Sequence, residues 1–220
     1  MKTALLAGIA SICLSFSAHA TQIISFGQTS GSNTVVATDN GTTTTIGISN
    51  AGVLIDQLFG AVTPPAIAAT MNLTATSIDA ALSIGNAFLQ HYAGSFSIIG
   101  TGGVNELSGT FSDAAFGTST GSQLSINVAA PPDTLTLSSD VIPAADLVLP
   151  GSFTLAMSNI PAPPNGPGLH LDGTTIAAFD ASFSGVANAT TVATPEPASL
   201  ALLGIGLLGL GMVAQRRRQT

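Results

Sequence analysis

The chain has 220 residues, 45% hydrophobic and only 7% charged, with four Lys or Arg against eleven Asp or Glu. All four basic residues (Lys2, Arg216, Arg217 and Arg218) lie in the end segments, so the body carries ten carboxylates, no Lys or Arg, and a net charge of −10 with His91 and His170 neutral. Such a surface repels phosphate backbones and lacks a cation to grip them, which excludes nucleic-acid binding. The aliphatic content likewise argues for a folded body rather than a disordered one.

At the start, Lys2 precedes an apolar run from Ala4 to Leu14 and then small residues, Ala18 and Ala20, at the minus-three and minus-one positions of a peptidase site. This order describes a secretory signal peptide, residues 1–20, cleaved after Ala20. Cys13, the only cysteine, leaves with it. The mature chain then has no thiol for a disulfide, a Cys-zinc site or a Cys nucleophile.

The body, residues 21–187, alternates apolar and polar residues. "MNLTATS" sets Met71, Leu73 and Ala75 on one face; "GSFSII" does the same with Phe96 and Ile98, and "QLSINV" with Leu124, Ile126 and Val128. "TLTL", "GSFTLAM" and "AAFDASFSG" repeat the pattern through Leu135, Leu137, Phe153, Leu155, Met157, Phe179, Ala181 and Phe183. A two-residue period with Ser and Thr on the wet face predicts half-buried antiparallel strands. Turn signals separate them at Asp39-Asn40-Gly41, Thr101-Gly102-Gly103, Pro131-Pro132-Asp133 and Asp172-Gly173. The expected fold class is mainly β, an antiparallel β-sandwich or jelly roll. One short helix is expected where Ile78, Leu82, Gly85 and Leu89 recur at helical spacing, with Gly85-Asn86 as a hairpin turn the alternative; Val53, Ile55 and Phe59 fit a helix less cleanly. "GSFSI" at Gly94 and "GSFTL" at Gly151 echo one another, but no strict repeat holds.

Catalytic motifs are weak. Gly117-Thr118-Ser119-Thr120-Gly121 spells G-x-S-x-G, with Asp140 and His170 following in hydrolase order. That elbow needs a helix after its serine, whereas "SQLSINV" reads as a strand. A glycosidase pair drawn from the carboxylates would lack aromatic sugar platforms, because the body has no Trp and one Tyr, Tyr92. His91 and His170 lack metal-ligand spacing. Calcium is the ion the composition suits, through Asp39, Asn40 and Asp172, but turns explain those residues as well. The expectation is a non-enzymatic protein with no cofactor and no metal site.

Residues 188–197 form a linker ending in Pro195-Glu196-Pro197. Ala198 to Ala214 is an uncharged run of seventeen residues, which as a helix covers roughly 25 Å, just enough for a thin bilayer. Its Gly204-Ile205-Gly206-Leu207-Leu208-Gly209 matches a dinucleotide fingerprint only by accident of a Gly-rich span. The basic tail, residues 215–220, holds Arg216, Arg217 and Arg218 on the cytoplasmic side as a stop-transfer signal.

Pro-Glu-Pro, a short Gly/Leu-rich span and a terminal arginine cluster resemble the PEP-CTERM sorting signal. The resemblance covers residues 194–220 alone. It implies recognition by an exosortase-type enzyme in the membrane, removal of the hydrophobic tail, transient membrane insertion, and export to the cell surface or extracellular matrix. It also implies association with exopolysaccharide or biofilm. A carbohydrate- or calcium-binding module is the alternative, and a secreted hydrolase the third.

Overall fold

The computed structural model describes residues 20–59, 66–84, 87–118, 122–127, 133–160 and 169–190. These fall in a unit spanning His19–Thr191; a second unit, Met1–Ala18 with Val192–Thr220, lies outside the described residues. The strands are β1 (Ala20–Gln28), β2 (Val35–Asp39), β3 (Thr44–Leu58), β4 (Ile67–Ser77), β5 (Leu82–Ile84), β6 (Ala87–Gly100) and β7 (Asn105–Thr118). They continue with β8 (Ser122–Asn127), β9 (Thr134–Ser138), β10 (Val148–Ser158), β11 (Leu171–Asp172), β12 (Thr175–Ile176) and β13 (Phe179–Thr190). Two three-residue 3₁₀ turns, Thr101–Gly103 and Ala144–Asp146, are the helical elements among the described residues.

Their pairing closes on itself. β1 pairs with residues 53–58 of β3 and 184–190 of β13, whereas β2 takes residues 44–48 and 179–181 of the same two strands. The two are therefore one rail, interrupted by residues 29–34. β8 and β9 share β7 in the same way, at 115–118 and 108–112. Counted by rails, the order is β1/β2, β3, β4, β6, β7, β8/β9, β10 and β13, and β13 returns to β1. Each neighbour in this ring is also the next rail in sequence, and every pairing is antiparallel. This is an eight-railed up-and-down barrel.

Mainly β, antiparallel structure agrees with the alternation. The sandwich or jelly roll does not: a jelly roll needs Greek-key returns, and here consecutive rails simply adjoin. Alternation reports which face a residue occupies and carries no information about which strand lies alongside. Closure also solves a physical problem, since pairing β13 with β1 gives the first and last rails partners in place of open edges.

Eight rails leave an interior just wide enough for side chains, and phenylalanines fill it. Phe96 of β6 stacks on Phe153 of β10, ring centroids 4.0 Å apart, and Phe116 of β7 on Phe179 of β13 at 5.6 Å. Each pair joins rails three places apart in the ring, so the rings meet across the interior. Burying such a side chain contributes about 1.5–3 kcal/mol. Phe26 of β1 pairs in register with Gly185 of β13, and a methyl group there would collide with the Phe26 ring. Glycine at 185 is what lets the ring lie against its neighbour strand.

Two features hid strands from the sequence. Bulges at Asn50 (φ 48°) and Asp113 (φ 65°) shift the pairing register of β3 and β7, so the alternation changes phase midway. The segment read as a helix is instead a connection followed by the β5–β6 hairpin, with Ile84 paired to Ala87. Its expected apolar stripe is not buried, for Ile78 is 55% and Leu82 59% exposed. Its backbone groups already have partners elsewhere: Ile78 N–H donates to His91 O, and Ala81 N–H to Thr174 O. β13 runs to Thr190, three residues beyond the boundary expected at 187. The expected span at 198–214 and the basic tail lie outside the described residues; among those described, no helix is long and apolar enough to cross a membrane.

Candidate functional site

The two ends of the barrel are built differently. At one, the β11–β12 hairpin forms a plug around an inward-facing polar group. Gln90 is fully buried. Its Oε1 accepts from Tyr92 Oη–H at 2.9 Å and from Ile176 N–H at 3.4 Å, while its Nε2 donates to Asp79 O at 2.9 Å. Thr44 Oγ1 donates to Ile176 O at 2.6 Å, and Ser77 Oγ accepts from Thr44 N–H. Burial pushes the Tyr92 phenol well above its ordinary range; its hydrogen bond with Thr44 opposes that shift, and Asp79 and Asp39 add to it. Gly173, at φ +63°, makes the tight turn of the hairpin. On the outer wall here, Asp79 Oδ2 lies 2.5 Å from His91 Nδ1, and Asp79 Oδ1 accepts the His91 backbone N–H at 2.9 Å. Asp113 stands 3.9 Å from the same ring nitrogen. The sequence shows His91 as an isolated histidine; only pairing of β6 with β7 brings Asp113 to it, so no local spacing could have found this group.

The other end is where the chain enters and leaves the barrel. Ala20 opens β1 and pairs with Thr190, the last residue of β13. Thr190 is further held by its Oγ1–H, which donates to Pro150 O at 2.7 Å, and Ala187 and Ala189 beside it are fully buried. Both terminal segments of the chain therefore join the barrel on adjacent strands at one end. Four residues, 191–194, separate Thr190 from Pro195, a reach of at most about 18 Å for extended chain. Ala18, Pro195, Glu196, Pro197, Arg216, Arg217 and Arg218 lie outside the described residues.

The β9–β10 connection covers this terminal end. Ser139 Oγ accepts the N–H groups of Val141 and Ile142 and donates to Glu106 O at 2.6 Å. Asp140 exchanges two bonds with Asn105, through its own N–H to Asn105 O and its Oδ2 to Asn105 N–H. Ile142 inserts into the core. Burial raises the Glu106 carboxyl above the usual carboxylate range, and the Asp140 charge adds to the rise.

Other expected residues are placed as follows. Gly117 and Thr118 end β7, and Thr118 pairs with Ser122 of β8. The G-x-S-x-G stretch thus sits at a strand-to-strand connection, with Ser119 itself outside the described residues. Asp140 bonds to Asn105 at the opposite end of the same fourteen-residue β7, roughly 40 Å of strand away. Thr118 and Asp140 therefore lie at opposite ends of one strand. Asp39 Oδ1 accepts Gly41 N–H, and Asn40 Oδ1 accepts Thr42 and Thr43 N–H, so both oxygens are used in the β2–β3 turn. Among the described residues, no group of three His, Cys, Asp or Glu is positioned to hold a metal ion.

The outer wall carries hydroxyl rows that only register could reveal. Thr74, Ser95, Thr110 and Thr136, all exposed, pair in line across β4, β6, β7 and β9. Asn72, Ser97, Ser108 and Ser138 form the next row. An open recess of about 480 Å³ beside them is lined by Thr34, Val36, Gly47, Ser49, Asn72 and Thr74.

With this geometry in view, comparison with known proteins bears on the tail. The family model of the PEP-CTERM protein-sorting motif matches residues 193–218. The chain carries that motif at its C-terminal end, immediately after the barrel's last strand. It is therefore an exported protein that passes through the membrane and bears a C-terminal signal recognised by an exosortase-type processing enzyme. No curated protein and no solved structure matches the chain.

Proposed function

We propose that this protein is a non-enzymatic structural component of the cell surface or extracellular matrix, released from the membrane by processing at Pro195-Glu196-Pro197 and associated with exopolysaccharide. The observation that carries the reading is the sorting motif at 193–218, joined by a few residues to a closed barrel whose interior is filled by its own phenylalanines. Aromatic stacking across the interior supports a structural barrel, and Thr118 and Asp140 lie at opposite ends of β7. The signal peptide at 1–20 directs export, and the 198–214 span is a temporary membrane stop. Its three arginines hold it, because moving each to the bilayer centre costs of order 2.5–3.5 kcal/mol.

Intact-mass spectrometry of the released protein in an exosortase-bearing host tests this. Mature protein begins at Thr21 and ends near Pro195-Glu196-Pro197, without the arginines. Glu196→Ala, or deletion of residues 216–218, impairs processing. Released wild-type protein that still ends in "QRRRQT" overturns the reading.

The uncharged hydroxyl rows around Thr110 and the neighbouring recess favour a second reading, a carbohydrate-binding module. Calorimetry with neutral polysaccharides separates the two: saturable heat that Thr74→Val with Thr110→Val abolishes supports a binding module over a purely structural barrel.

A further inference from the structure

The β9–β10 connection and the first residues of β10 present an apolar surface that the core does not use. Val141, Val148 and Leu149 are 44%, 40% and 43% exposed, and Pro143, Ala144, Ala145 and Pro150 are exposed among them. Across residues 141–150 the single charge is Asp146. Scattered exposed aliphatics are ordinary, but clustering in one connection marks a contact surface. The segment is also held in shape. Ile142 anchors it inward with Leu147 packed partly against the core, and Ser139 fixes two backbone N–H groups, so Val141, Val148 and Leu149 stay outward.

Its position selects the partner. Val148 pairs with Thr190, and Pro150 O accepts the Thr190 hydroxyl. From Thr190 only seven residues, 191–197, lead to Ala198, so the connection is tethered within roughly 30 Å of the apolar span's first residue. Tethering raises the effective concentration of a weak contact enough to populate it. Among the described residues Val36 and Leu54 are also exposed, on β2 and β3, and a further exposed pair, Ile78 and Leu82, lies at the plugged end beside Asp79. That end is roughly 30 Å away along the barrel axis.

We propose that residues 141–150 seat on the outer leaflet of the membrane while the tail is inserted. This rests on reading residues 198–214 as a membrane span. The contact is apolar insertion between headgroups. With a net charge of −10 and no Lys or Arg in the body, it is opposed by anionic lipid and favoured by zwitterionic lipid.

The test uses full-length chain carrying Cys13→Ser, reconstituted in phosphatidylcholine nanodiscs. A single environment-sensitive fluorophore is attached through Ala145→Cys, Ser83→Cys or Leu208→Cys. Nitroxide lipids labelled near the headgroup should quench the Ala145 probe and leave the Ser83 probe untouched, while deep nitroxides quench the Leu208 probe. Combined Val141→Ser, Val148→Ser and Leu149→Ser should lower quenching at position 145 to the Ser83 level without changing position 208. Adding phosphatidylglycerol should weaken the Ala145 signal. Quenching at 208 with none at 145 overturns the docking surface alone; none at 208 overturns the membrane-span reading and this proposal together. A signal at 145 that arises only when an exosortase-type protein shares the nanodisc assigns the surface to a protein partner and overturns the lipid proposal.

Discussion

The plugged end and the terminal end of the barrel face opposite problems with similar materials. At the plugged end, buried polar groups satisfy one another: Gln90 binds Tyr92, Asp79 and, on the β11–β12 hairpin, Ile176. At the terminal end the β9–β10 connection buries Ile142, and Val141, Val148 and Leu149 turn outward. The first end spends its hydrogen bonds on stability. The second turns apolar side chains outward at the end where β13, the strand that leads toward the sorting signal, finishes. The difference teaches that burial and exposure follow the tether as well as the core.

Gln90→Ala should break the comparison most severely. It leaves the buried Tyr92 hydroxyl and Ile176 N–H without this acceptor, at a cost of about 3–5 kcal/mol in all. In a domain of this size that lowers Tm by of order 10 °C. Calorimetry reads the shift, and hydrogen exchange should rise first at the Ile176 amide. An unchanged Tm would mean that the polar plug contributes nothing.

Ile142→Ala tests whether the terminal end hangs on a single anchor, and should cost about 2–4 kcal/mol. Denaturation in urea measures it. Protection should be lost in residues 139–147 while the β11–β12 hairpin stays protected.

Glu106→Gln sharpens the contrast through pH. The folded state raises the Glu106 carboxyl, so it binds that proton more tightly than the unfolded chain does. Stability is greatest while the group is protonated. It declines as pH rises through the ordinary carboxylate value toward the raised one, and stays lower above it. The glutamine variant should lose that decline and be the more stable protein at neutral pH. Urea midpoints between acid and neutral pH decide it.

The smallest effect is the most informative. The combined Val141→Ser, Val148→Ser and Leu149→Ser variant should change stability by no more than about 0.5 kcal/mol, as exposed positions do. A loss of several kcal/mol would show that these side chains serve the core rather than a surface.

Much of the barrel wall was legible because strands half-buried in one core alternate without interruption. Met71, Leu73 and Ala75, and Phe153, Leu155 and Met157, are inside as their spacing predicts. β3 and β7 were obscured for a definite reason: Asn50 and Asp113 insert an extra residue, and one residue inverts the faces of everything after it. The residues at 78–89 mimicked a helix because a loop and a hairpin together placed Ile78, Leu82 and Leu89 at suitable intervals. Closure could not be read at all, since Ala20 and Thr190 are joined by topology rather than by pattern. The sorting signal was the reverse case. Its information is local, a fixed order of Pro-Glu-Pro, span and arginines, so sequence alone carried it.

The pairing of β1 with β13 has a kinetic meaning. First and last rails are the most distant in sequence, so their union is the slowest loop to close and must wait for residue 190 to cross. On the proposed reading of residues 198–214 as a membrane stop, completion of the ring and arrest of the chain, only seven residues later, are almost one event. Until that moment the exported portion is an open sheet with β1 and β10 as bare edges. The duration of translocation itself then sets how long this protein is exposed to edge-to-edge aggregation.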